Sequence, residues 1–150
     1  MGEQEYDLLM QNDSNTAGHT QWFFFRVQNT SAGLPVKFNI LNYGKPDSMF
    51  NYGMKVSVYS ERKAETASVG WHRAGTDISY FRNQVRKDNL SARFYYSLTF
   101  TYEFEHPDDT VFFAYCFPYT YSDLRQDISL LERDPRRAGL MQRSTLCKTL

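Results

Sequence analysis

The segment FYYSLTFTYEFE, residues 94–105, carries the clearest pattern in the chain. Large apolar residues occupy every second position from Tyr96 to Phe104, and serine, threonine or glutamate stands between them. Successive side chains of a strand point to opposite faces, so this alternation predicts a strand with one buried and one solvated face. Each large side chain that leaves water contributes about 1.5–3 kcal/mol before entropy is subtracted. The segment therefore needs a partner layer that covers its apolar face.

Other segments show similar patterns. The run VFFAYCF, residues 111–117, is apolar on both faces, which predicts a strand that is covered from both sides or lies beside another domain. Aromatic residues make up 17% of the chain, and they favour pleated, half-buried surfaces. Seven to nine short strands separated by turn residues predict an all-β fold, an antiparallel sandwich or barrel. The polar segment QVRKDNLSAR, residues 84–93, reads as a mobile hairpin loop.

Only the C-terminal part of the chain has a helical pattern, near residues 122–133. Ser122 suits the N-cap position, and Asp123 in the first turn complements the helix dipole. Apolar residues recur on one side from Leu124 to Leu131, and an Asp-Pro pair then ends the helix.

Charge and cysteine content narrow the function classes. The 17 basic and 17 acidic residues give a formal net charge of zero, which argues against a nucleic-acid or anionic-membrane protein. No stretch is long and apolar enough for a membrane span, and the polar N-terminus lacks the features of a secretory signal. Cys116 and Cys147 are then expected to be reduced thiols, Cys116 buried in a strand, and the expected compartment is the cytosol.

No catalytic or metal site is predicted. The three histidines, His19, His72 and His106, lie far apart and match no zinc-ligand spacing. The carboxylates at positions 103, 105, 108 and 109 fall on a polar strand face and its turn, a placement typical of a solvated edge. No phosphate-binding loop or nucleophile elbow is present.

The rings that follow residue 116 are a different kind of candidate. Tyr119 and Tyr121 come after Pro118 and directly before the predicted helix. Tyrosine combines apolar area with a hydroxyl group and is enriched at interfaces. At least one of these rings is expected at the surface.

Several blocks together resemble the N-terminal domain of the cytosolic carboxypeptidases, a family of zinc metallocarboxypeptidases that remove glutamates from tubulin and other proteins. The block FPYTYS, residues 117–122, is the most specific one. The others occur in order over nearly the whole chain: QWFFFRVQNT, VKFNILNYGKPDSMFNYGM, GWHRAGTDISYFRN, YSLTFTYEFEHPDDTVFFAYCFPYTYSDL and LCKTL.

The resemblance implies a β-sandwich domain over residues 1–134, with the short helix included, and a linker at 135–150 that leads into an absent catalytic domain. The family's catalytic zinc is then expected in that absent domain, with no cofactor in this chain, because none of the family's catalytic motifs matches a position here. The sandwich would dock on its own catalytic domain. The docking residues implied are Phe117, Pro118, Tyr119, Tyr121 and Leu124.

The resemblance also implies glutamate-rich substrates such as tubulin, in the cytoplasm or at microtubules. An acidic substrate would be met by basic side chains around the polar loop. The alternative is an independent β-sandwich module that binds a protein or a carbohydrate. The residues expected to make the acidic contact are Arg82, Arg86, Lys87 and Arg93, which surround that loop. For these four residues the other interpretation is a solvated loop without a partner.

Overall fold

The computed structural model describes residues 4–16, 18–87, 93–137 and 139–147. The chain divides into two compact units, Met1–Phe117 and Pro118–Leu150. The first unit holds the described strands, and the second holds the longest helix. The predicted domain boundary at residue 134 stays a prediction.

The first unit consists of two four-stranded sheets with an apolar core between them. The strands are β1 (Gln4–Leu8), β2 (Phe24–Val27), β3 (Pro35–Tyr43), β4 (Val56–Ser60), β5 (His72–Ala74), β6 (Thr76–Arg86), β7 (Phe94–Glu103) and β8 (Val111–Ala114). The first sheet has the order β1-β3-β7-β6, and the second has the order β2-β8-β4-β5. Among the strand pairings of the described residues, only that of β1 with β3 is parallel. These eight strands confirm the prediction of an all-β sandwich with seven to nine strands.

Strand β7 follows its sequence pattern closely. Leu98, Phe100 and Tyr102 are buried, whereas Glu103 on the opposite face is exposed. Ser97 is the exception, because it lies on the polar face and is nevertheless buried. Its hydroxyl Oγ accepts a hydrogen bond from the side-chain amide of Asn83 on β6 at 2.9 Å, which satisfies the buried group.

The core between the sheets is built largely from phenylalanine rings. Phe38 of β3 lies 5.4 Å from Phe25 of β2 and 5.3 Å from Phe113 of β8, measured between ring centroids. Phe100 of β7 lies 5.9 Å from the same Phe113. Aromatic pairs at these distances add about 0.5–1.5 kcal/mol to the gain from burial. The run at residues 111–117 therefore supplies part of the core, as its apolar character predicts.

A second helix was not predicted from the sequence. Helix α1 spans Glu61–Ala67 directly after β4, and none of its residues is buried. Its sequence ERKAETA has no apolar stripe, so periodicity gives no signal. The N-cap is the only local sign, because the Ser60 hydroxyl accepts a hydrogen bond from the Lys63 backbone N–H at 2.9 Å.

Helix α2 spans Tyr121–Arg133, close to the predicted 122–133, but its predicted N-cap was wrong. The N-cap is Thr120, whose hydroxyl accepts from the Asp123 N–H while the Asp123 carboxylate accepts from the Thr120 N–H. This reciprocal capping box satisfies two N–H groups that would otherwise be free. The helix therefore begins after Thr120, and Ser122 becomes its second residue.

No helix in the described part of the chain has the length and apolarity that a membrane span requires.

The predicted loop at residues 84–93 is shorter than expected. Strand β6 continues to Arg86 and β7 begins at Phe94, so both ends of that segment belong to the sheet or border it. The centre of the predicted loop, residues 88–92, lies outside the described residues. Arg86 at the end of β6 and Arg93 before β7 are exposed, so their charges remain in solvent.

Asp109 corrects the prediction that all four carboxylates of this region are solvated. Only 3% of Asp109 is exposed, and its carboxylate accepts from the Ser60 hydroxyl at 2.5 Å and from the Arg62 N–H at 3.0 Å. It also accepts from the Thr110 N–H at 2.7 Å, while its own N–H donates to the Thr30 hydroxyl at 2.9 Å. The buried carboxylate of Asp109 therefore joins the start of α1 to the turn before β8, and the backbone N–H of the same residue joins that turn to the loop after β2.

We expect Asp109→Ala to lower the free energy of unfolding by about 1.5–3 kcal/mol, because it removes charge-assisted hydrogen bonds and leaves their buried donors unpaired. Chemical denaturation at neutral pH measures the loss. Glu103→Ala is the matched control, since it removes an exposed carboxylate, and it should change stability by less than about 0.5 kcal/mol. Equal effects of the two substitutions would contradict this role of Asp109.

Tyr43 at the end of β3 is buried with its hydroxyl unpaired among the described residues. Its ring packs edge-on against Tyr80, whose hydroxyl does have a partner, the Lys45 carbonyl at 2.5 Å. Burial, and secondarily the neighbouring tyrosines, raise the pKa of Tyr43 far above its usual value. Burial also raises the pKa of Tyr102 to about 12.

We expect Tyr43→Phe to leave stability at pH 7 unchanged or raised, since the lost hydroxyl has no hydrogen bond to give up. Tyr80→Phe, the matched control, should lower the free energy of unfolding by about 1 kcal/mol because it loses the hydrogen bond to the Lys45 carbonyl.

Tyrosines of the unfolded chain release their protons near pH 10, whereas the buried tyrosines of the folded domain release theirs only at higher pH. The stability that the domain has below pH 10 therefore falls as the pH rises towards 12. That fall should be less steep in Tyr43→Phe, and an unchanged slope in alkaline denaturation would be the contrary result.

Candidate interaction surfaces

The C-terminal segment keeps its rings in solvent. The exposed fraction is 63% for Phe117, 60% for Tyr119 and 75% for Tyr121, and Leu124 is also exposed. Pro118 is half-buried. The prediction that at least one of the two tyrosines reaches the surface agrees with this exposure, but their role in docking stays a prediction.

Hydrogen bonds fix the start of α2 in place. The Tyr119 hydroxyl donates to the Asp127 carboxylate at 2.5 Å, and this bond raises the pKa of the tyrosine. The Thr120 side-chain and backbone groups lower the pKa of Asp123 by hydrogen bonding to its carboxylate. The ring of Tyr119 is thus held on one side of the helix by a residue two turns along. Such a fixed ring loses little conformational freedom when a partner covers it.

The basic residues predicted to meet an acidic substrate do not all converge. The guanidinium carbons of Arg82 and Arg86 lie 5.0 and 5.8 Å from the ring centroid of Phe94, so these two share one face of the β6–β7 hairpin. The Lys87 ammonium instead donates to the Gly44 carbonyl at 2.6 Å. The Arg93 carbonyl accepts from the Lys87 N–H at 3.0 Å, and Arg93 is exposed. The structure therefore places Arg82 and Arg86 together and turns the lysine charge towards the backbone.

The outer face of the second sheet carries a strip of rings that the sequence analysis did not single out. Phe24 of β2 lies 6.0 Å from Trp22 and 5.8 Å from Phe112 of β8, between ring centroids. Tyr59 and Trp71 continue the strip at 5.6 Å from each other, and Trp71 lies 6.3 Å from Phe24. The exposed fractions of Trp22 and Phe24 are 43% and 48%. The signal in the sequence was the presence of rings on both faces of two strands.

The cysteines and histidines of the described residues do not form a metal site. Cys116 follows β8 and is half-buried, so its predicted burial inside a strand was wrong. Its Sγ accepts from the indole N–H of Trp22 at 3.2 Å, a contact that holds it beside the outer strip of rings. Cys147 is exposed. Among residues 4–16, 18–87, 93–137 and 139–147, no three histidine, cysteine or acidic side chains are grouped as metal ligands.

Comparison with known proteins points to one family. A family model described as the cytosolic carboxypeptidase N-terminal domain matches residues 1–116. Cytosolic carboxypeptidase 2 of Xenopus tropicalis is 43% identical and cytosolic carboxypeptidase 3 of Mus musculus 42% identical over 150 residues. Each match covers 100% of this chain and 15% of the relative, so the chain spans about one seventh of the length of these relatives.

Solved structures share the fold. A metallo-carboxypeptidase from Burkholderia cenocepacia matches 86% of this chain and 28% of its own, with a TM-score of 0.55 at 15% identity. A metallo-carboxypeptidase from Pseudomonas aeruginosa matches 87% of this chain and 28% of its own, with a TM-score of 0.53 at 20% identity. With the sandwich, the family model and the relatives in agreement, this chain belongs to the cytosolic carboxypeptidases and corresponds to their N-terminal domain.

Proposed function

We propose that this domain is the non-catalytic N-terminal sandwich of a cytosolic zinc metallocarboxypeptidase, and that it docks on and supports the catalytic domain. One observation carries the proposal. Helix α2 has 13 residues, a complete capping box and an apolar stripe, yet none of its residues is buried. Most helical stability in proteins comes from packing an apolar face. In this stripe Leu124 is exposed and Ile128 and Leu131 are only half-buried, so the stripe has room for a partner.

The rings beside that helix support the same role. Phe117, Tyr119 and Tyr121 are each at least 60% exposed, and Leu124 lies one turn further along. Aromatic residues in such clusters are enriched at the centres of interfaces, where they supply much of the binding energy. A partner on the same polypeptide needs little intrinsic affinity, because the linker keeps its effective concentration high.

The chemistry of the whole enzyme is then located elsewhere in the polypeptide. Its zinc would be held by the catalytic domain, because His19, His72 and His106 of this chain do not form a ligand set. The proposed substrates are glutamate-rich protein segments such as those of tubulin, and the proposed location is the cytoplasm, at microtubules. The solved metallo-carboxypeptidases contain this fold as 28% of a longer chain, which agrees with a supporting role.

The sandwich would also help to orient an acidic substrate through Arg82 and Arg86. The Phe94 ring lies under both guanidinium groups and keeps their planar faces at the surface. Guanidinium groups bind carboxylates with two parallel hydrogen bonds, a geometry that suits glutamate side chains. Arg93 is exposed beside the same hairpin and would add positive charge, whereas the Lys87 ammonium is bonded to the Gly44 carbonyl and would contribute less.

A second candidate function follows from the strip formed by Trp22, Phe24, Tyr59, Trp71 and Phe112. Half-exposed rings on a sheet face suit an independent module that binds a protein or a carbohydrate by stacking. The two candidates differ in what the C-terminal rings do. Only the docking function requires Tyr119 and Tyr121 to contact a catalytic domain.

Docking predicts that Tyr119→Ala and Tyr121→Ala lower the melting temperature of the full-length enzyme, by about 2–4 °C for each kcal/mol of lost contact. Calorimetry of the full-length enzyme measures the shift. The same variants of the isolated domain should shift much less, because both rings are exposed there and Tyr119 loses only its exposed hydrogen bond to Asp127. Tyr119→Phe keeps the ring and controls for the bond to Asp127, and Tyr52→Ala controls for loss of an exposed tyrosine elsewhere. Unchanged melting and activity of both alanine variants would favour the independent module.

The acidic contact predicts that a polyglutamate peptide binds the isolated domain at low salt and is released at about 0.5 M salt, where charges are screened. Titration with the peptide measures the affinity. Arg82→Gln combined with Arg86→Gln should weaken binding about tenfold or more. Arg62→Gln combined with Arg133→Gln is the charge-matched control at two exposed positions. Binding that neither salt nor the first pair weakens would rule out this contact.

A further inference from the structure

The two sheets do not cover each other fully at one side of the sandwich. Strand β1 is the edge of the first sheet and β2 is the edge of the second. The ring of Phe25 on β2 packs on Phe38 of β3, so β2 lies opposite β3. Beyond β2 the second sheet has no further strand in the described part of the chain that would cover β1. Consequently the ring of Tyr6 on β1 stacks on Phe38 at 6.0 Å and remains 49% exposed.

Two clefts occupy the space left beside β2. One has a volume of about 460 Å³ and lies between the inward side chains of β1, such as Tyr6, and those of β2, such as Val27. The other has a volume of about 430 Å³ and continues along the two strands towards Trp22. Leu8 and Phe25 line both, so the clefts form one groove along the edge. We call this space the β1–β2 groove.

The free edge of β2 lines this groove with unpaired backbone groups. The Phe23 carbonyl accepts from the Tyr115 N–H at 3.1 Å, and this places Phe23, Phe25 and Val27 in the pairs whose backbone groups bond to β8. In an antiparallel pair the residues between these point their N–H and C=O groups the other way. The backbone groups of Phe24 and Arg26 therefore face away from β8, towards the position of a further strand.

Arg26 places a positive charge beside the position that a further strand would occupy next to β2. Its side chain lies on the outer face of the second sheet, is exposed, and has no ion pair or hydrogen bond among the described residues. A strand added beside β2 would place one side chain directly next to it on the same face. A carboxylate there would complement the arginine, and the neighbouring residues would point into the apolar groove.

We propose that the β1–β2 groove binds an extended segment of a separate polypeptide, which pairs antiparallel with β2 as a fifth strand of the second sheet. Its alternate apolar side chains fill the groove over β1, and an acidic side chain lies beside Arg26. The antiparallel direction continues the pattern of the second sheet, in which all pairings are antiparallel. Backbone hydrogen bonds would supply affinity, and the groove and the arginine would supply specificity.

The test uses the 150-residue chain and a synthetic peptide, acetyl-Ser-Val-Thr-Val-Glu-Val-Thr-Val-Ser-amide. Binding should slow hydrogen exchange of the Phe24 and Arg26 amides at least tenfold, as measured by NMR, and leave the amides of the opposite edge strand β6 unchanged. N-methylation of the glutamate and both threonines should abolish the effect, because those N–H groups would face β2. N-methylation of the valines, whose N–H groups would face solvent, should preserve it.

Charge reversal gives the second arm. Arg26→Glu should weaken binding at least tenfold without lowering the melting temperature, because Arg26 is exposed and makes no ion pair or hydrogen bond with the described residues. A peptide with lysine in place of glutamate should bind this variant better than it binds the unchanged chain. The proposal is overturned if no amide slows at about 1 mM peptide, or if the peptide N-methylated at glutamate and threonine binds equally well. A chain that sediments as a dimer through this edge would also overturn it, since a second copy would then be the occupant.

Discussion

The ring of Phe113 holds the two sheets of this domain together. It lies 5.1 Å from Phe25 in its own sheet and 5.3, 5.9 and 5.1 Å from Phe38, Phe100 and Tyr102 in the facing sheet, between ring centroids. The pair with Tyr102 is edge-on, the geometry that the charge distribution of aromatic rings favours. With this contact fixed, the side chains on the other faces of the strands are placed as well. Phe112, the preceding residue, must point outwards and becomes part of the exposed strip of rings.

The periodic parts of the fold were predictable because a single physical rule governs them. Alternation in β7 identified which residues would be buried, and the doubly apolar run at 111–117 identified a strand with rings on both faces. Helix α1 escaped prediction because its residues contact solvent on every side, so only the cap at Ser60 marks it. Cys116 and Asp109 were wrongly placed for a related reason. Their surroundings depend on partners distant in sequence: the half-buried Cys116 contacts Trp22, and the buried Asp109 contacts Ser60 and Arg62.

The candidate surfaces were predictable to different degrees. A pair of tyrosines beside a proline indicated an exposed ring at 119–121, and the position of the arginines in the sequence placed them around one polar loop. That Arg82 and Arg86 share the Phe94 ring while Lys87 turns to Gly44 depends on the register of β6 and β7. The β1–β2 groove was not predictable at all. It exists because β2, the edge of the second sheet, packs on β3, and the second sheet ends there while the first continues to β1, an arrangement that no local pattern encodes.

Both tryptophans of the chain, Trp22 and Trp71, lie in the strip on the outer face of the second sheet. Intrinsic indole fluorescence from this domain therefore reports on that face and on the neighbouring Cys116 thiol, while the phenylalanine core contributes no indole emission. A molecule that covers the strip should shift the wavelength of maximum tryptophan emission and reduce quenching by dissolved quenchers. Both effects can be measured without an added label. The domain thus carries its own optical probe on one of its candidate interaction surfaces.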